Sequence, residues 1–296
     1  MREIKVFAPA KLNLYLDVLE KRPDGFHNIE TIFEKIDLRD EIIIKEKGKG
    51  LKVRADSADC AQGEKNIIYK AVQLLFKETG ARFGLDIEIR KKIPVSAGLG
   101  GGSSDAASAL RALNDAFKFG VPKVKLCSIA GDIGKDAPFF MLDAPFGVGK
   151  GTGEALETLK LTRVLFHIFI KPRISLSTRL MYKRIDNHSF SGKKHSLEET
   201  LYALKKKGVK ALEENYYNIF ENVLSRNSVY INRAKGLLAD AGAEHSLLSG
   251  SGPTVFCTFD TGKDAGDVFR RIPKDKTMSM FLVRTYKGGI YGDNRG

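Results

Sequence analysis

Cysteine is scarce and scattered in this chain. The three present, Cys60, Cys127 and Cys257, are odd in number and far apart, which excludes a disulfide scaffold and a local metal motif and fits a reducing cytosol. No apolar run approaches the ~20 residues that a membrane-spanning helix needs. The first residues enter an alternating pattern with Lys5 and Lys11 inside it, and no apolar core followed by a cleavage site is visible. The expectation is therefore a cytoplasmic protein with no membrane partner. Internal repeats and low-complexity segments are also missing.

What is present is ordinary globular material. At 296 residues, 43% hydrophobic and 29% charged, the chain can bury a sizeable core and suits two domains. Its 49 basic and 36 acidic residues leave a net charge of +13, which would suit a polyanionic ligand or nucleic acid. The lysines are dispersed, however. The densest group, Lys205, Lys206 and Lys207 before Gly208, falls where a helix ends, and cations at a helix C-terminus need no partner to explain them. A solvated basic surface is the expectation, with no nucleic-acid partner.

Residues 92–117, KIPVSAGLGGGSSDAASALRALNDAF, organise the rest. They read as a strand end, a glycine loop and a helix start. Gly98, Gly100, Gly101 and Gly102 free the backbone to approach a ligand with consecutive N–H groups turned inward. Ser103 and Ser104 add hydroxyls, Ser104 as a candidate N-cap, and Ala106, Ala107, Leu110, Leu113 and Phe117 carry an apolar stripe at helical spacing. An anion at that terminus would meet unpaired N–H groups and the positive end of the helix dipole. Neither common nucleotide template fits, because Ser103 stands where a Walker loop needs lysine and where a dinucleotide fingerprint needs glycine.

Residues 2–19 suggest two short strands around Ala8-Pro9-Ala10, with Lys11 and Asn13 on one side of the second and Leu12, Leu14 and Leu16 on the other. A solvent-facing Lys/Asn pair satisfies this pattern as well as a functional one. Arg22-Pro23-Asp24-Gly25 is a turn leading into Phe26-His27, which can stack on and hydrogen-bond a heterocycle or close a small core. A strand over 30–38, a hairpin over 41–54, a helix over 66–79 between Asn66 and Gly80, and a strand with Leu85, Ile87 and Ile89 on one face lead to the loop. A further short helix over 124–131 follows. Asp136 lies between Gly134 and Pro138, as a turn residue or a reactive carboxylate. Gly147-Val148-Gly149-Lys150-Gly151-Thr152 looks like a nucleotide loop, but Ala144 stands where the first glycine belongs and no capped helix follows, so a glycine-rich hairpin is expected. The pattern restarts near 158: a strand over 164–171, helices over 177–185, 197–207, 217–225, 229–242 and 265–272, a polar connection over 186–194, strands VFCTF and MSMFLVRTY, and a tail expected to be disordered after about 287. The division expected is 1–157 and 158–296.

PAKLNLYL, PVSAGLGGGSSDAASAL and LLSGSGPTVF, read together, resemble the GHMP kinase superfamily over nearly the whole chain. KLNLYLDVLEKRPDGFHNIET and GKDAPFF are similar to the branch that phosphorylates 4-diphosphocytidyl-2-C-methyl-D-erythritol in the non-mevalonate route to isoprenoid precursors, and the Pro-Asp-Gly-aromatic-His element is its most specific mark. The resemblance implies a two-domain α+β fold, with an N-terminal domain of a type also found in ribosomal proteins, a ferredoxin-like C-terminal domain, and the active site in the cleft between them. It implies ATP on Pro94, Gly98, Leu99, Gly100, Gly101, Gly102, Ser103 and Ser104, with Asn66 and Lys91 near the adenine. Lys11 and Asp136 would form the catalytic pair, and Asn13, Phe26, His27, Asp136, Thr178 and Tyr182 would line the substrate site. Asn218 falls on a further motif position with no role attached. Phe26 stands where tyrosine is usual, and Lys150 where arginine is frequent. Mg²⁺ is implied without identified ligands, and a monomer or homodimer is expected.

Two other readings remain open at this point. A mevalonate- or homoserine-type kinase would leave Phe26, His27 and Tyr182 as packing residues. A basic RNA-binding protein would account for the charge but not for the glycine loop or Asp136.

Overall fold

The computed structural model describes residues 2–188, 196–224 and 228–291. β1 (Glu3–Lys21) and β2 (His27–Lys47) form a long antiparallel ribbon. The expected pair of short strands is thus one strand of 19 residues. What the Ala8-Pro9-Ala10 interruption marks is a change of face. The pairing shifts register between Pro9 and Ala10, a place where proline's missing N–H does least harm. Before it, Ile4, Val6 and Ala8 join the core under the helices; after it, Leu12 and Leu14 join the core between the two sheets. Lys11 and Asn13 are thereby turned toward the glycine loop, and both are buried.

The strand pairing around β3 (Leu51–Ala55) also departs from expectation. A hairpin over 41–54 would pair β3 with β2. After α1 (Ile67–Thr79), β4 (Gly84–Arg90) enters between them instead, antiparallel to β2 and parallel to β3. Leu85, Ile87 and Ile89 are fully buried, and an interior position covers a strand that a hairpin would have left at the edge. α1 begins and ends as its sequence suggests: the Asn66 side chain accepts from Ile68 N, and Gly80 closes the helix at φ 71.

α2 (Gly101–Ala116), α3 (Lys123–Ile133) and the single turn α4 (Ala137–Phe140) pack with α1 on this sheet. β5 (Phe146–Lys150) and β6 (Ala155–Leu159) form the glycine-rich hairpin, with β5 paired to β2. The second half supplies β7 (Phe166–Pro172), α5 (Thr178–Asp186), α6 (Leu197–Lys206), α7 (Val209–Glu214), β8 (Tyr217–Asn218), α8 (Ser228–Asp240), β9 (Leu247–Leu248), β10 (Val255–Phe259), α9 (Gly262–Arg271) and β11 (Met278–Arg284). The architecture is α+β: a seven-stranded sheet in the order β3-β4-β2-β1-β8, with β5 and β6 hung on β2, and a four-stranded sheet in the order β11-β7-β10-β9. Leu12, Leu14, Ile32 and Ile36 of the first sheet meet Phe169, Phe256 and Val283 of the second, so one core ties the two together.

Two more expectations are corrected. The helix expected over 217–225 is β8 followed by a 3₁₀ turn, Ile219–Val223, because Tyr217 and Asn218 add to the edge of β1 and the Asn218 side chain stops the strand by accepting from Phe220 N. The tail is ordered through Tyr291: Phe7 N donates to Ile290 O at 2.7 Å, and Ile290 is buried, an anchor that a glycine-rich segment does not advertise. Most of the 186–194 connection, Ser225 and the chain after Tyr291 lie outside the described residues. No helix among the described residues is long and apolar enough to cross a membrane.

Candidate active site

The glycine loop runs from β4 to α2, and its glycines are required by what surrounds them. Gly98 has φ +75, and a Cβ there would lie 2.2 Å from Ser249 O; Gly100 has φ +68, and a Cβ would meet Lys11 Cγ and the Phe140 ring at 3.0 Å. Gly100 is the N-cap of α2, so Gly101, Gly102 and Ser103 occupy the first turn with its free N–H groups. The expected capping role of Ser104 is therefore not realised. Ser104 is fully buried one turn into the helix, and its hydroxyl has no hydrogen-bond partner.

Asn66, Lys91, Pro94, Gly98, Leu99, Gly100, Gly101, Gly102 and Ser103 line one cavity of about 380 Å³. Within it Lys91 donates to Asp40 and, at 2.8 Å, to Asp105. Burial works against the Lys91 charge, but Asp105 and Asp40 outweigh it and hold the ammonium above its ordinary pKa. Burial also raises the Asp105 carboxyl, with Lys91 acting in the opposite sense. The Asn66 amide is spent on capping α1 and on Ala61 O at 2.7 Å. Both residues thus shape the cavity wall more than they offer free donors.

A second cavity, about 230 Å³, opens on the other side of the loop and shares Ser96, Gly98 and Gly100 with the first. Lys11, Asn13, Asp136, Thr178 and Tyr182 all line it. Lys11 Nζ donates to Asn13 Oδ1 and stands 3.8 Å from Asp136 Oδ2. Burial lowers the Lys11 pKa, and Asp136 partly restores it. Asn13 is oriented in turn by a bond to Thr31 Oγ1 at 2.8 Å. Asp136 occupies the N-cap position of α4 without making the side-chain cap bond, and its side chain is 38% exposed, so the carboxylate is free to accept a proton or a hydrogen bond.

His27 does not reach the cavity itself. It stands behind Tyr182, rings stacked at 5.0 Å, with Nε2 2.6 Å from Asp186 Oδ1. Burial pushes the Tyr182 hydroxyl up to about 12, keeping it a neutral hydrogen-bonding group. Phe26 is 52% exposed and lies on a neighbouring cleft, with Lys135 Nζ 4.8 Å from its ring centroid.

Sequence reasoning missed the role of the Leu248–Pro253 segment as a wall. Gly250 and Ser251 line the second cavity, Ser251 Oγ lies 2.8 Å from Thr178 Oγ1, and Ser249 Oγ donates to Gly98 O at 3.1 Å. Asn218 now has its role: its amide donates to Leu248 O at 2.7 Å and Gly250 O at 2.8 Å, fixing this segment against the glycine loop. The motif LLSGSGPT was the available signal; the contacts that give it meaning span 30 to 151 residues of sequence.

A buried lysine beside an open aspartate, in an acceptor-sized cavity that shares its glycine-loop wall with the other cavity, is the arrangement of a small-molecule phosphotransferase. Family models agree: residues 66–144 match the GHMP kinases N terminal domain and residues 196–276 match the GHMP kinases C terminal domain, and the chain belongs to the GHMP kinase family. Within that family its relatives are more particular. The 4-diphosphocytidyl-2-C-methyl-D-erythritol kinase of Thermoanaerobacter pseudethanolicus is 38% identical over 98% of this chain and 99% of its own. A crystal structure of 4-(cytidine 5'-diphospho)-2C-methyl-D-erythritol kinase superposes with TM-score 0.80 at 29% identity, covering 95% of this chain and 98% of the other. The homoserine kinase of Cytophaga hutchinsonii, with TM-score 0.69 at 19% identity over 97% of this chain and 95% of its own, shares the fold alone.

Proposed function

We propose that the chain transfers the γ-phosphoryl group of ATP to the 2-hydroxyl of 4-diphosphocytidyl-2-C-methyl-D-erythritol, releasing ADP and the 2-phosphate, in the non-mevalonate route to isoprenoid precursors. The observation that carries this reading is the Lys11–Asp136 pair at 3.8 Å, lining the second cavity with Lys11 packed against Gly100, which both cavities share. ATP phosphates lie along Gly98–Ser103 at the N-terminus of α2, where backbone N–H groups and the helix dipole take the part of a Walker lysine. Asn66, Lys91 and Pro94 bound the nucleotide end. The acceptor hydroxyl enters from the second cavity; Asp136 takes its proton as the new O–P bond forms and the bond from the γ-phosphorus to the bridging oxygen breaks. The Lys11 ammonium, held by Asn13, offsets the charge building on the transferring group. Its low-dielectric setting strengthens that interaction. Thr178 and Tyr182 bound the methylerythritol diphosphate, His27 supports Tyr182 from behind, and Phe26 offers a ring face to the cytosine.

Mg²⁺ fits the donor set in a limited sense. Among the described residues no group of three His, Cys, Asp or Glu side chains could hold a metal ion. The Ser103 hydroxyl and Asp136 carboxylate are hard oxygen donors of the kind an ion held chiefly by phosphates and water requires. When bound, it neutralises phosphate charge. Residues 1–157 would then form the nucleotide-holding domain and 158–296 the domain that supplies the outer substrate wall. One chain supplies every group named, so this reading needs no more than a monomer or homodimer and calls on no nucleic-acid or membrane partner.

The test is ADP release by purified protein with Mg-ATP and, in turn, 4-diphosphocytidyl-2-C-methyl-D-erythritol, mevalonate, homoserine and galactose. Release confined to the cytidylyl substrate is expected. Release with mevalonate or homoserine instead would keep the phosphotransfer and remove the pyrimidine site.

A further inference from the structure

Lys35 lies on β2 directly across from Lys11 in the strand register. It is 7% exposed, and its ammonium donates to the carbonyl of Leu142. Among the described residues no carboxylate comes within ion-pair distance of it. Asp143, whose charge acts on Lys35, is already held by Arg111 at 2.9 Å and Lys123 at 2.5 Å. A buried ammonium without a counter-ion is costly, and a fold keeps one where something offsets the charge.

Beside Lys35 is a cavity of about 180 Å³, with Ser108 and Arg111 of α2 on one wall and Gly288, Gly289 and Ile290 of the C-terminal segment on another; Asp143 also lines it, its carboxylate bonded to Arg111 and Lys123. Lys35 has used one of its three N–H groups, and Arg111 makes a single side-chain bond through Nη2, so donors remain on two sides of the space. Lys287 is not among them, since its ammonium is turned to Thr162 O. Tyr286 donates to Gly289 O at 2.7 Å and accepts from Arg39, which braces the covering segment. Burial, helped by the Arg111 and Lys123 charges and opposed by Asp143, brings the Lys35 pKa down to about 7, the behaviour of a buried ammonium whose positive neighbours outweigh the carboxylate beside it. The glycine loop is separate: Phe140 stands between them, touching the space beside Gly100 and lining this cavity.

We propose that this cavity is a binding site for a small free oxyanion of the inorganic phosphate or sulfate type, held between Lys35 and Arg111 under residues 286–290. Its position behind the Phe139-Phe140 turn, where Lys35 Nζ lies 5.4 Å from the Phe139 ring, sets it apart from the nucleotide phosphates.

Thermal unfolding of the full chain tests it, with saturating Mg-ADP present so that the glycine loop cannot take the added anion. Phosphate or sulfate is titrated against sodium chloride at matched ionic strength. Wild type should rise in Tm by about 3 °C or more as the anion saturates. Lys35→Met should show no anion shift, keep its stabilisation by ADP, and melt at or above wild type without phosphate because no charge is buried. Arg111→Gln, on the opposite wall, should weaken the shift at least about tenfold in phosphate concentration. Equilibrium dialysis with labelled phosphate should find one ion per chain in wild type and none in Lys35→Met. No shift beyond that of chloride in wild type, or an equal shift in Lys35→Met, would overturn the site.

Discussion

Gly98 and Ser249 are interlocked: a methyl group on Gly98 would sit 2.2 Å from the Ser249 carbonyl oxygen, while the Ser249 hydroxyl donates to the Gly98 carbonyl at 3.1 Å. The two loops come from opposite halves of the chain, and residues of both line the second cavity. Gly98→Ala must therefore push the halves apart as well as hold an alanine at φ +75. Backbone strain alone costs about 1–3 kcal/mol. The expected outcome is a lower Tm together with a KM for ATP raised at least about tenfold. Gly102→Ala is the control, because its nearest neighbour would be 3.6 Å from the new methyl, and it should leave Tm nearly unchanged.

The Lys11–Asp136 pair predicts an asymmetry between two variants. Asp136 is partly open, makes no cap bond and holds no fold element, so Asp136→Asn should fold normally and lose about 10²- to 10⁴-fold in kcat, the span of a general base. Lys11 is buried against Asn13 and acts as a charge. Lys11→Met should also lose turnover, yet keep or gain thermal stability, since a desolvated ammonium is replaced by an apolar chain of similar length. A stable Asp136→Asn enzyme with near-normal kcat would remove the proton-accepting role.

Asn218 makes its case through bonds with both loop carbonyls and the Phe220 amide. Asn218→Ala leaves Leu248 O and Gly250 O without this donor in a buried setting. Two orphaned carbonyls cost about 2–4 kcal/mol together. Chemical denaturation should register that loss with an unchanged m-value, and the freed Gly250 segment should raise the substrate KM more than it lowers kcat.

These positions show what the chain disclosed and what it did not. Local signals were legible: the Asn66 cap, the Gly80 stop, the glycine loop before α2 and the 147–152 hairpin each depend on neighbours a few residues away. Lys11 and Asn13 were legible as same-face residues through the period of two, but their burial was not, because it depends on the face change at Pro9 and on Phe140 and Gly250 arriving from far along the chain. β4 inserting between β2 and β3, and His27 finding Asp186 159 residues away, are long-range pairings that no local pattern encodes. Ser104 misled for the opposite reason. Serine before an apolar helical run is a good cap signal, but Gly100, in the left-handed region, starts the helix earlier.

Phe26 yields a prediction about binding alone. The ring is half exposed with Lys135 over it, and its place on a neighbouring cleft keeps it clear of the reacting atoms. Phe26→Ala should raise KM for the cytidylyl substrate about 5- to 100-fold if the base stacks there, with kcat little changed. Phe26→Tyr keeps the ring and should stay within a few-fold of wild type. A Phe26→Ala enzyme with unaltered KM would assign the ring to holding Lys135 and nothing more.

Glu213 predicts how stability depends on pH. Burial raises its carboxyl from 4.5 to about 7, with Glu244 and Asp260 adding to the shift and the bond from Thr258 N opposing it. The folded protein therefore binds a proton that the unfolded chain has released through the window between those values. For an acid whose pKa is raised on folding, the stabilising protonated form is complete below about 4.5 and its contribution is lost as pH rises through about 7. This is opposite in sign to a salt-bridged carboxylate. Glu213→Gln keeps an acceptor for Thr258 N while removing the ionisation. The variant should match wild type near pH 5 and exceed it by about 1–3 kcal/mol at pH 8, measured by denaturant unfolding at both values. Equal stabilities at pH 8 would mean that the carboxylate is solvated where it stands, between α7 and β10, and that its ionisation costs the fold nothing.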